Sequence, residues 1–416
     1  LQFENGDFTK PIPAADYELA EVSFHLEAAR QNVQNRLLKL EATEARLLKA
    51  LHSAQEAAVN KAQVLAAMSR EVRTPMNAIV STAELLLTST LDDTQQHYAT
   101  LVRASATSLL ISLQNLLDYS RLEAQQMEFR YVRFSIIEVI EDAFLQDAKR
   151  AIDKGLNPVV FVHPNVPAET KSDPLRLRQI LQIILDNAIR FTRIGDITLF
   201  VKANLERGMI RYEIRDTGPG FPPSKADDLF QPFTRLENHY EDRKERNGLG
   251  LAIARLVCVQ MGGTIGASSA EGGSCFWFEL PIVEAESTWP EENPTLKALK
   301  VLLIEPHHFA NEMMSTLLTS WGADVHTALR PDEGTELLEN NQYTLVILDQ
   351  SILNMRDMLA QARQSGARIF WLLPFDSHRH RLHMRQHGVS ACIRKPIRRA
   401  DLLARVEAVV ALMPKS

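Results

Sequence analysis

From Leu37 to Val72 the apolar residues recur in alternating steps of three and four: Leu37, Leu40, Leu47, Leu51, Ala54, Ala58, Leu65, Met68, Val72. Glu44 and Lys61 interrupt the series without breaking its register. A seven-residue repeat kept over several heptads concentrates apolar surface in one narrow stripe, which a single helix leaves wet and a partner helix covers. The pattern predicts a coiled coil over residues 37–61 that runs on into a longer helix, and hence a dimer. The other fold it allows is one amphipathic helix packed on another domain. Two charged and two alanine positions make the seam loose, which suits a helix pair that transmits a change of register or packing.

Pro75 removes a backbone donor and predicts a kink. A turn at Thr88 to Asp93, with Asp92 and Asp93 as capping residues, leads into a second amphipathic helix from Thr94 to Glu128. Two such hairpins across a dimer make a four-helix bundle. After Phe134 short β-like runs (158–162, 197–201, 210–214) alternate with helical ones, which indicates an α+β domain ending near Pro281. A polar linker with prolines follows from Glu284 to Thr295. Beyond it, apolar runs at 300–304, 324–326, 345–348, 369–372 and 391–393 alternate with helical stretches. Continuous apolar runs of that kind are buried parallel strands, and a doubly wound, flavodoxin-like α/β domain is expected.

Length and composition agree with several domains: 416 residues exceed one ordinary core. A net charge of −6 gives no reason to expect nucleic-acid binding, and local basic clusters such as His378-Arg379-His380-Arg381 read as solvated surface. Three scattered cysteines, Cys258, Cys275 and Cys392, show no metal spacing and fit a reducing compartment. No apolar run reaches transmembrane length and no signal peptide is visible. The chain opens on Leu1 rather than Met, which suggests an excised fragment whose membrane segment, if any, lies upstream.

The stretch Ser69-Arg70-Glu71-Val72-Arg73-Thr74-Pro75-Met76-Asn77 resembles the phosphoacceptor box of sensor histidine kinases at all positions but one. Arg70 stands where that family carries its phosphorylated histidine. A guanidinium offers donors but no lone pair, so it does not attack a phosphate. In the heptad register Arg70 falls at an f position, the outward face a nucleotide domain would have to reach. Glu71 takes the place of the general base and has no nucleophile to deprotonate. Glu71 and Thr74 keep the Glu-x-x-Thr pattern with which the family positions water against a partner's phosphoaspartate; a plain helix turn before Pro75 is the other reading.

Residues 178–192 resemble the N box of the ATPase superfamily shared by histidine kinases, gyrase and mismatch-repair ATPases. The resemblance implies that Asn187 holds Mg²⁺ through its amide oxygen, a hard ligand of the type this ion prefers, and that Arg190 meets phosphate. Ile183 departs from a common asparagine. Asp216-Thr217-Gly218-Pro219-Gly220 resembles the G1 box, in which the carboxylate of Asp216 accepts from the adenine amino group while Gly218 and Gly220 let the backbone approach. Phe230 marks an F box and Gly248 and Gly250 a G2 box at a helix N-terminus; Gly272-Gly273-Ser274 stands where the last small-residue turn belongs. Glu245, Arg246 and Asn247 alter the lid. A nucleotide-free scaffold remains the other possibility, but four boxes in order imply ATP and Mg²⁺ as cofactors.

Asp349, ending the run Leu345–Leu348, and Lys395 resemble the phosphorylated aspartate and active-site lysine of receiver domains. Of the two acids that hold Mg²⁺ there, Glu305 is present and Pro306 replaces the second. Leu373 stands at the hydroxyl position, Cys392 at the aromatic switch, and Leu353 and Arg356 alter the loop after the aspartate. Losing a carboxylate weakens the charge neutralisation that phosphoryl transfer needs, so a degenerate receiver used for docking or regulation is expected; a simple Asp–Lys ion pair is the alternative.

The resemblance gives this layout: a partial HAMP-like linker at 1–36 (Gly6–Pro13 with Glu18–Val22), a signalling helix at 37–61, a dimerisation and phosphotransfer-like hairpin at 62–128, an ATP-binding catalytic-like domain at 129–284, a linker at 285–297, and a receiver-like domain at 298–416. The whole resembles a hybrid sensor histidine kinase of a two-component system, degenerate at the acceptor and receiver. The function expected is an ATP-binding pseudokinase, homodimeric, that regulates a partner kinase or response regulator, with phosphatase activity as a variant. The site would be the cytoplasmic portion of an inner-membrane receptor. The alternative is an active sensor kinase whose natural histidine has been replaced by Arg70. A plain ATP hydrolase accounts less well for the bundle and its flanking box.

Overall fold

The structure, a computed structural model, describes residues 20–234, 248–270, 272–284, 296, 299–350, 352, 355–373 and 389–411. The start of the HAMP-like segment, the lid residues Glu245, Arg246 and Asn247, most of the 285–297 linker, Leu353 and the basic cluster at 378–381 lie outside these residues. The chain divides into two compact units, Leu1–Met127 and Glu128–Ser416. Among the described residues no helix is long and apolar enough to cross a membrane.

The first unit is a helical hairpin of α1 (Ala20–Thr88) and α2 (Asp93–Glu123). The helices run antiparallel, with Lys61 Nζ 3.0 Å from Glu123 Oε2 and Arg73 Nη2 donating to Gln114 Oε1 at 2.9 Å. Along the part of α1 that packs on α2 the buried residues are Ala62, Ser69 and Ala83, with Met76 half-buried between them. They are spaced by seven, and the heptad register of the leucines makes them e positions. Small side chains on that line let α2 approach closely through its own buried Ala99 and Ala106. The a and d leucines stay outside: Leu40, Leu47 and Leu51 are 68%, 65% and 65% exposed in the single chain. The hairpin therefore uses one edge of the apolar stripe and leaves the stripe itself uncovered.

One expectation for this unit needs correction, the end of α2. Helix α1 runs without interruption from Ala20 to Thr88 with Pro75 inside it. The missing Pro75 donor affects a single rung, and the Thr74 hydroxyl caps locally by donating to the Arg70 carbonyl at 3.3 Å. Helix α2 stops at Glu123 rather than Glu128 because Gln125 adopts φ +53°. The Gln126 amide then bonds the Arg121 carbonyl and the Gln125 amide the Leu122 carbonyl, the paired bonds of a Schellman stop. At the other end Asp92 makes a capping box: the Gln95 amide donates to Asp92 Oδ1 at 2.8 Å and the Asp92 amide to Gln95 Oε1 at 3.2 Å.

The second unit holds two five-stranded sheets and a two-stranded ribbon. The ribbon pairs β1 (Val132–Ser135) with β3 (Glu169–Ser172), neither of which the sequence pattern reveals. The first large sheet contains β2 (Leu156–Val162), β4 (Gly195–Asn204), β5 (Met209–Asp216), β6 (Thr264–Ala270) and β7 (Gly273–Pro281), in the order β2-β4-β5-β7-β6. Only β2–β4 is parallel. Helices α3 (Ile136–Asp153), α4 (Pro174–Phe191) and α5 (Gly250–Gln260) supply its buried apolar layer, including Ile140, Ile180, Ile184 and Ile253. Alternate residues of β5 and β7 point into that core, and Tyr212 stacks on Phe278 with centroids 4.5 Å apart.

The second large sheet is wholly parallel: β8 (Lys300–Ile304), β9 (Asp324–Ala328), β10 (Leu345–Asp349), β11 (Arg368–Leu373) and β12 (Ala391–Arg394). Its order, β12-β11-β10-β8-β9, is the flavodoxin-like order expected from the apolar runs. All five residues of the central β10 are buried, as a strand covered on both faces requires. Helices α6 (His308–Ser320) and α9 (Arg399–Ala411) lie over one face, α7 (Pro331–Asn340) and α8 (Met355–Gln364) over the other. The apolar core on the α6–α9 face extends to Phe161 of β2, so the two sheets share packed surface. Replacing Asp92 by Ala is expected to weaken the α2 start by about 1 kcal/mol, read as roughly fivefold faster amide exchange at Gln95 and Gln96.

Candidate functional site

Asp216 ends β5 directly opposite Ser274 of β7. It is 8% exposed. The Ser274 hydroxyl donates to Oδ2, and the Gly218 amide donates to Oδ1 at 2.9 Å. Burial pushes the Asp216 carboxyl above the usual carboxylate range, against the pull of those donors. A carboxylate has about four acceptor sites, so these bonds orient Asp216 without exhausting it.

Glycine is required on both sides of the group. A Cβ on Gly218 would lie 2.8 Å from Asp216 Oδ1 and 3.4 Å from the Phe191 carbonyl, and one on Gly273 would lie 2.1 Å from the Asp216 carbonyl. The turn after β5 thus closes onto the C-terminal end of α4, the helix carrying the N-box residues. Asn187 and Arg190 are half-buried on that helix, and Ile183 one turn before Asn187 would meet a Cβ on Gly250 at 3.3 Å. Ile183, in place of a polar residue, is thus used in packing α4 against the start of α5. Asp186 points elsewhere, pairing with Arg150 of α3 at 3.1 Å.

Phe230 is buried with its ring edge-on to Phe276, and Gly220 has φ +67°. Gly248 accepts the Phe233 amide at 3.0 Å. The predicted residues of the N, G1, F and G2 boxes therefore surround one end of the first large sheet. A buried, oriented acceptor, a cradle that a Cβ would fill, a neutral amide for a hard cation and a helix N-terminus form a donor set that fits a nucleotide with Mg²⁺.

On the hairpin, Arg70, Glu71 and Thr74 are exposed on α1, while Ser69 is buried against α2. The side chain at position 70 thus faces outward, one place from the buried e line.

At the carboxyl edge of the parallel sheet, Lys395 Nζ lies 2.6 Å from Glu305 Oε2 and 2.5 Å from Asp349 Oδ2. Both carboxylates are buried. Burial pushes the Glu305 carboxyl up despite Lys395, and Asp349 adds to the rise. The Lys395 ammonium is itself held above its usual range, because the two acids outweigh its desolvation. One ammonium thus bridges the two acids that were expected to serve separate roles. Pro306 is exposed and supplies no ligand, Leu373 is buried at the end of β11, Cys392 pairs with Trp371 in the sheet, and Arg356 lies on α8. Among the described residues no group of three or more His, Cys, Asp or Glu side chains is placed to hold a metal.

Residues 60–125 match the His Kinase A (phospho-acceptor) domain family, and residues 172–284 match the histidine kinase-, DNA gyrase B- and HSP90-like ATPase family. The chain is 29% identical over 416 residues to the signal transduction histidine-protein kinase BarA of Escherichia coli strain K12, covering 96% of this chain and 44% of that protein. It is 33% identical over 309 residues to the sensor protein GacS of Pseudomonas syringae, covering 73% of this chain and 34% of that one. It therefore spans less than half the length of these relatives. Among solved structures, full-length ShkA in complex with AMPPNP superposes with a TM-score of 0.72 at 27% identity, over 85% of this chain and 73% of that one. Fold, site and relatives together put the chain in the hybrid sensor histidine kinase family of two-component signalling, with an ATP-binding domain of the histidine kinase class.

Sequence reasoning did not identify Ser274 as the donor to Asp216. Ser274 was visible only as part of a small-residue turn, because its pairing depends on a strand register set by residues far apart in the chain. Replacing Lys395 by Ala leaves two buried carboxylates facing each other and is expected to destabilise the parallel-sheet region by about 3 kcal/mol or more, measured by urea unfolding.

Proposed function

We propose that this chain is an ATP-binding pseudokinase: a homodimeric member of its family that takes up ATP with Mg²⁺ and does not phosphorylate its own bundle. The observation that carries this is Arg70, an exposed guanidinium on the outward face of α1 in an otherwise intact acceptor box. A guanidinium has no lone pair with which to attack phosphorus. Asp216 supplies an oriented acceptor for the adenine amino group, Asn187 the amide for Mg²⁺, and Arg190 with the α5 N-terminus the phosphate contacts. When bound, MgATP supplies an electrophilic γ-phosphate; the chain's residues orient and shield the nucleotide.

The homodimer reading rests on the exposed a and d leucines beside a buried e line, since a second copy covers that stripe in register. The receiver-like role of the parallel sheet is one of docking or regulation. With Lys395 bridging Glu305 and Asp349, the cluster already carries its compensating cation, and Pro306 provides no second acid for Mg²⁺. The partner is a histidine kinase or response regulator, and the chain is the cytoplasmic portion of a receptor anchored in the inner membrane by a segment elsewhere. Glu71 and Thr74, exposed one turn apart, leave a phosphatase action on a partner's phosphoaspartate chemically open.

Incubation with γ-labelled ATP tests the assignment. The unaltered chain is expected to take up no label, whereas Arg70→His is expected to become labelled in an acid-labile form. Label on the unaltered bundle returns the chain to the active kinases; no label on either form, with nucleotide bound, places the defect in the altered lid as well. Nucleotide affinity is expected to fall as pH is lowered, because protonating Asp216 removes acceptor capacity. The raised pKa of Asp216 moves that fall above the pH at which an ordinary aspartate titrates. Isothermal titration across pH, with Asp216→Ala as the control, reads both the loss and its midpoint.

A further inference from the structure

The loop between α4 and β4 lies beneath the Asp216 turn and is clipped to it by Thr217. The Asp196 amide donates to Thr217 Oγ1 at 2.9 Å, the Thr217 amide returns a bond to the Asp196 carbonyl at 3.2 Å, and the Thr217 hydroxyl also reaches the Ile194 carbonyl at 3.3 Å. The fit leaves no slack, since a Cβ on Gly195 would lie 2.1 Å from Thr217 Oγ1. The buried Thr192 anchors the same loop to α4 by donating to the Ala188 carbonyl at 2.7 Å.

What holds this loop from outside is a residue of the parallel-sheet region. Asp196 Oδ1 accepts from Asn157 Nδ2 at 3.1 Å, and Oδ2 lies 2.9 Å from His307 Nε2. His307 caps α6, where its Nδ1 accepts the Ala310 amide at 3.2 Å. An imidazole that accepts at Nδ1 carries its proton on Nε2, so the neutral ring already donates to Asp196. The His307 amide in turn donates to Glu305 Oε1 at 3.1 Å, and Glu305 Oε2 holds Lys395. An unbroken line of contacts therefore runs from the lysine–carboxylate cluster through Glu305, His307, Asp196 and Thr217 to Asp216.

The contact is one of several that seat the parallel sheet on the ATPase-type domain. Phe309 packs edge-on against Phe200, which stacks on Phe161. The Arg399 amide donates to Glu141 Oε1 at 2.8 Å, and Arg398 Nη2 to Asp142 Oδ1 at 2.7 Å, both on α3. The first of these is apolar, and the other two reach α3. His307 alone in this set grips the loop under the G1 turn.

We infer that His307 is a positioning residue for the nucleotide pocket: by holding Asp196, the C-terminal α/β region fixes the Asp216 turn and sets the affinity of the ATPase domain for ATP. This rests on the reading of Asp216 as the adenine acceptor. The physical argument is preorganisation. Without His307, the Asp196 side chain keeps only Asn157, the start of β4 and the loop before it gain freedom, and binding must then order the turn that the docked domain holds ready. A hydrogen bond to a charged acceptor is the stronger kind, so its loss is felt at the pocket and not only at the interface.

The test is a double-mutant cycle in the full chain, with MgATP affinity measured by isothermal titration and amide exchange at Thr217 measured without nucleotide. His307→Ala is expected to weaken MgATP binding roughly fivefold, the low end of ordinary coupling between sites, and to speed exchange at Thr217. Asp196→Asn, which leaves the backbone bonds to Thr217 intact, is expected to give a similar loss, and the double variant little more than either alone. It carries the test by itself if His307→Ala does not fold. His307→Gln, whose amide nitrogen sits near the position of Nε2, is expected to restore most of the affinity. Unchanged affinity in His307→Ala and Asp196→Asn, with binding abolished in Asp216→Ala, overturns the inference and leaves the ATP site standing. Losses that simply add in the double variant also overturn it. A wild-type chain that binds no MgATP overturns both the inference and the ATP reading.

Discussion

A side chain without a lone pair limits everything the bundle can do. The scaffold around Arg70 is that of a working acceptor helix: an outward-facing position, a buried small residue beside it, and an acid next in sequence. The side chain at position 70 is exposed on α1, and its chemistry withholds a nucleophile. Chemistry of that kind does not depend on packing or on the partner.

The seven-residue repeat places the hairpin contact and the exposed leucines on different lines of one helix. Positions Ala62, Ser69 and Ala83 belong to the intramolecular contact and the leucines to the open stripe. Because Arg70 follows Ser69, its outward placement is a consequence of the hairpin packing and not an independent feature.

Much of this was legible in the sequence because it is local. The heptads, the strands of the parallel sheet, the N-terminal cap at Asp92 and the four ATPase boxes each declare themselves within a few residues. What was not legible depends on pairing over distance. The β1–β3 ribbon has no apolar alternation to announce it, and the Ser274–Asp216 bond exists only because β5 and β7 align in one register. An Asp349–Lys395 ion pair was among the readings of the sequence, but the sharing of that ammonium with Glu305 follows from the closeness of three strand ends. Helix α2 ended early because Gln125 took a left-handed conformation that composition does not advertise.

In the parallel-sheet region Lys395 bridges Glu305 and Asp349 beside Pro306, and on the hairpin Arg70 stands in the acceptor box. On the proposed reading, the two together favour a regulator over a kinase altered at one point. The most direct measurement is mass spectrometry, under alkaline conditions, of peptides spanning residues 60–125 after the unaltered chain has been exposed to MgATP. The account predicts peptides of unmodified mass throughout the hairpin; a phosphoryl group on any of them, His97 included, would contradict it.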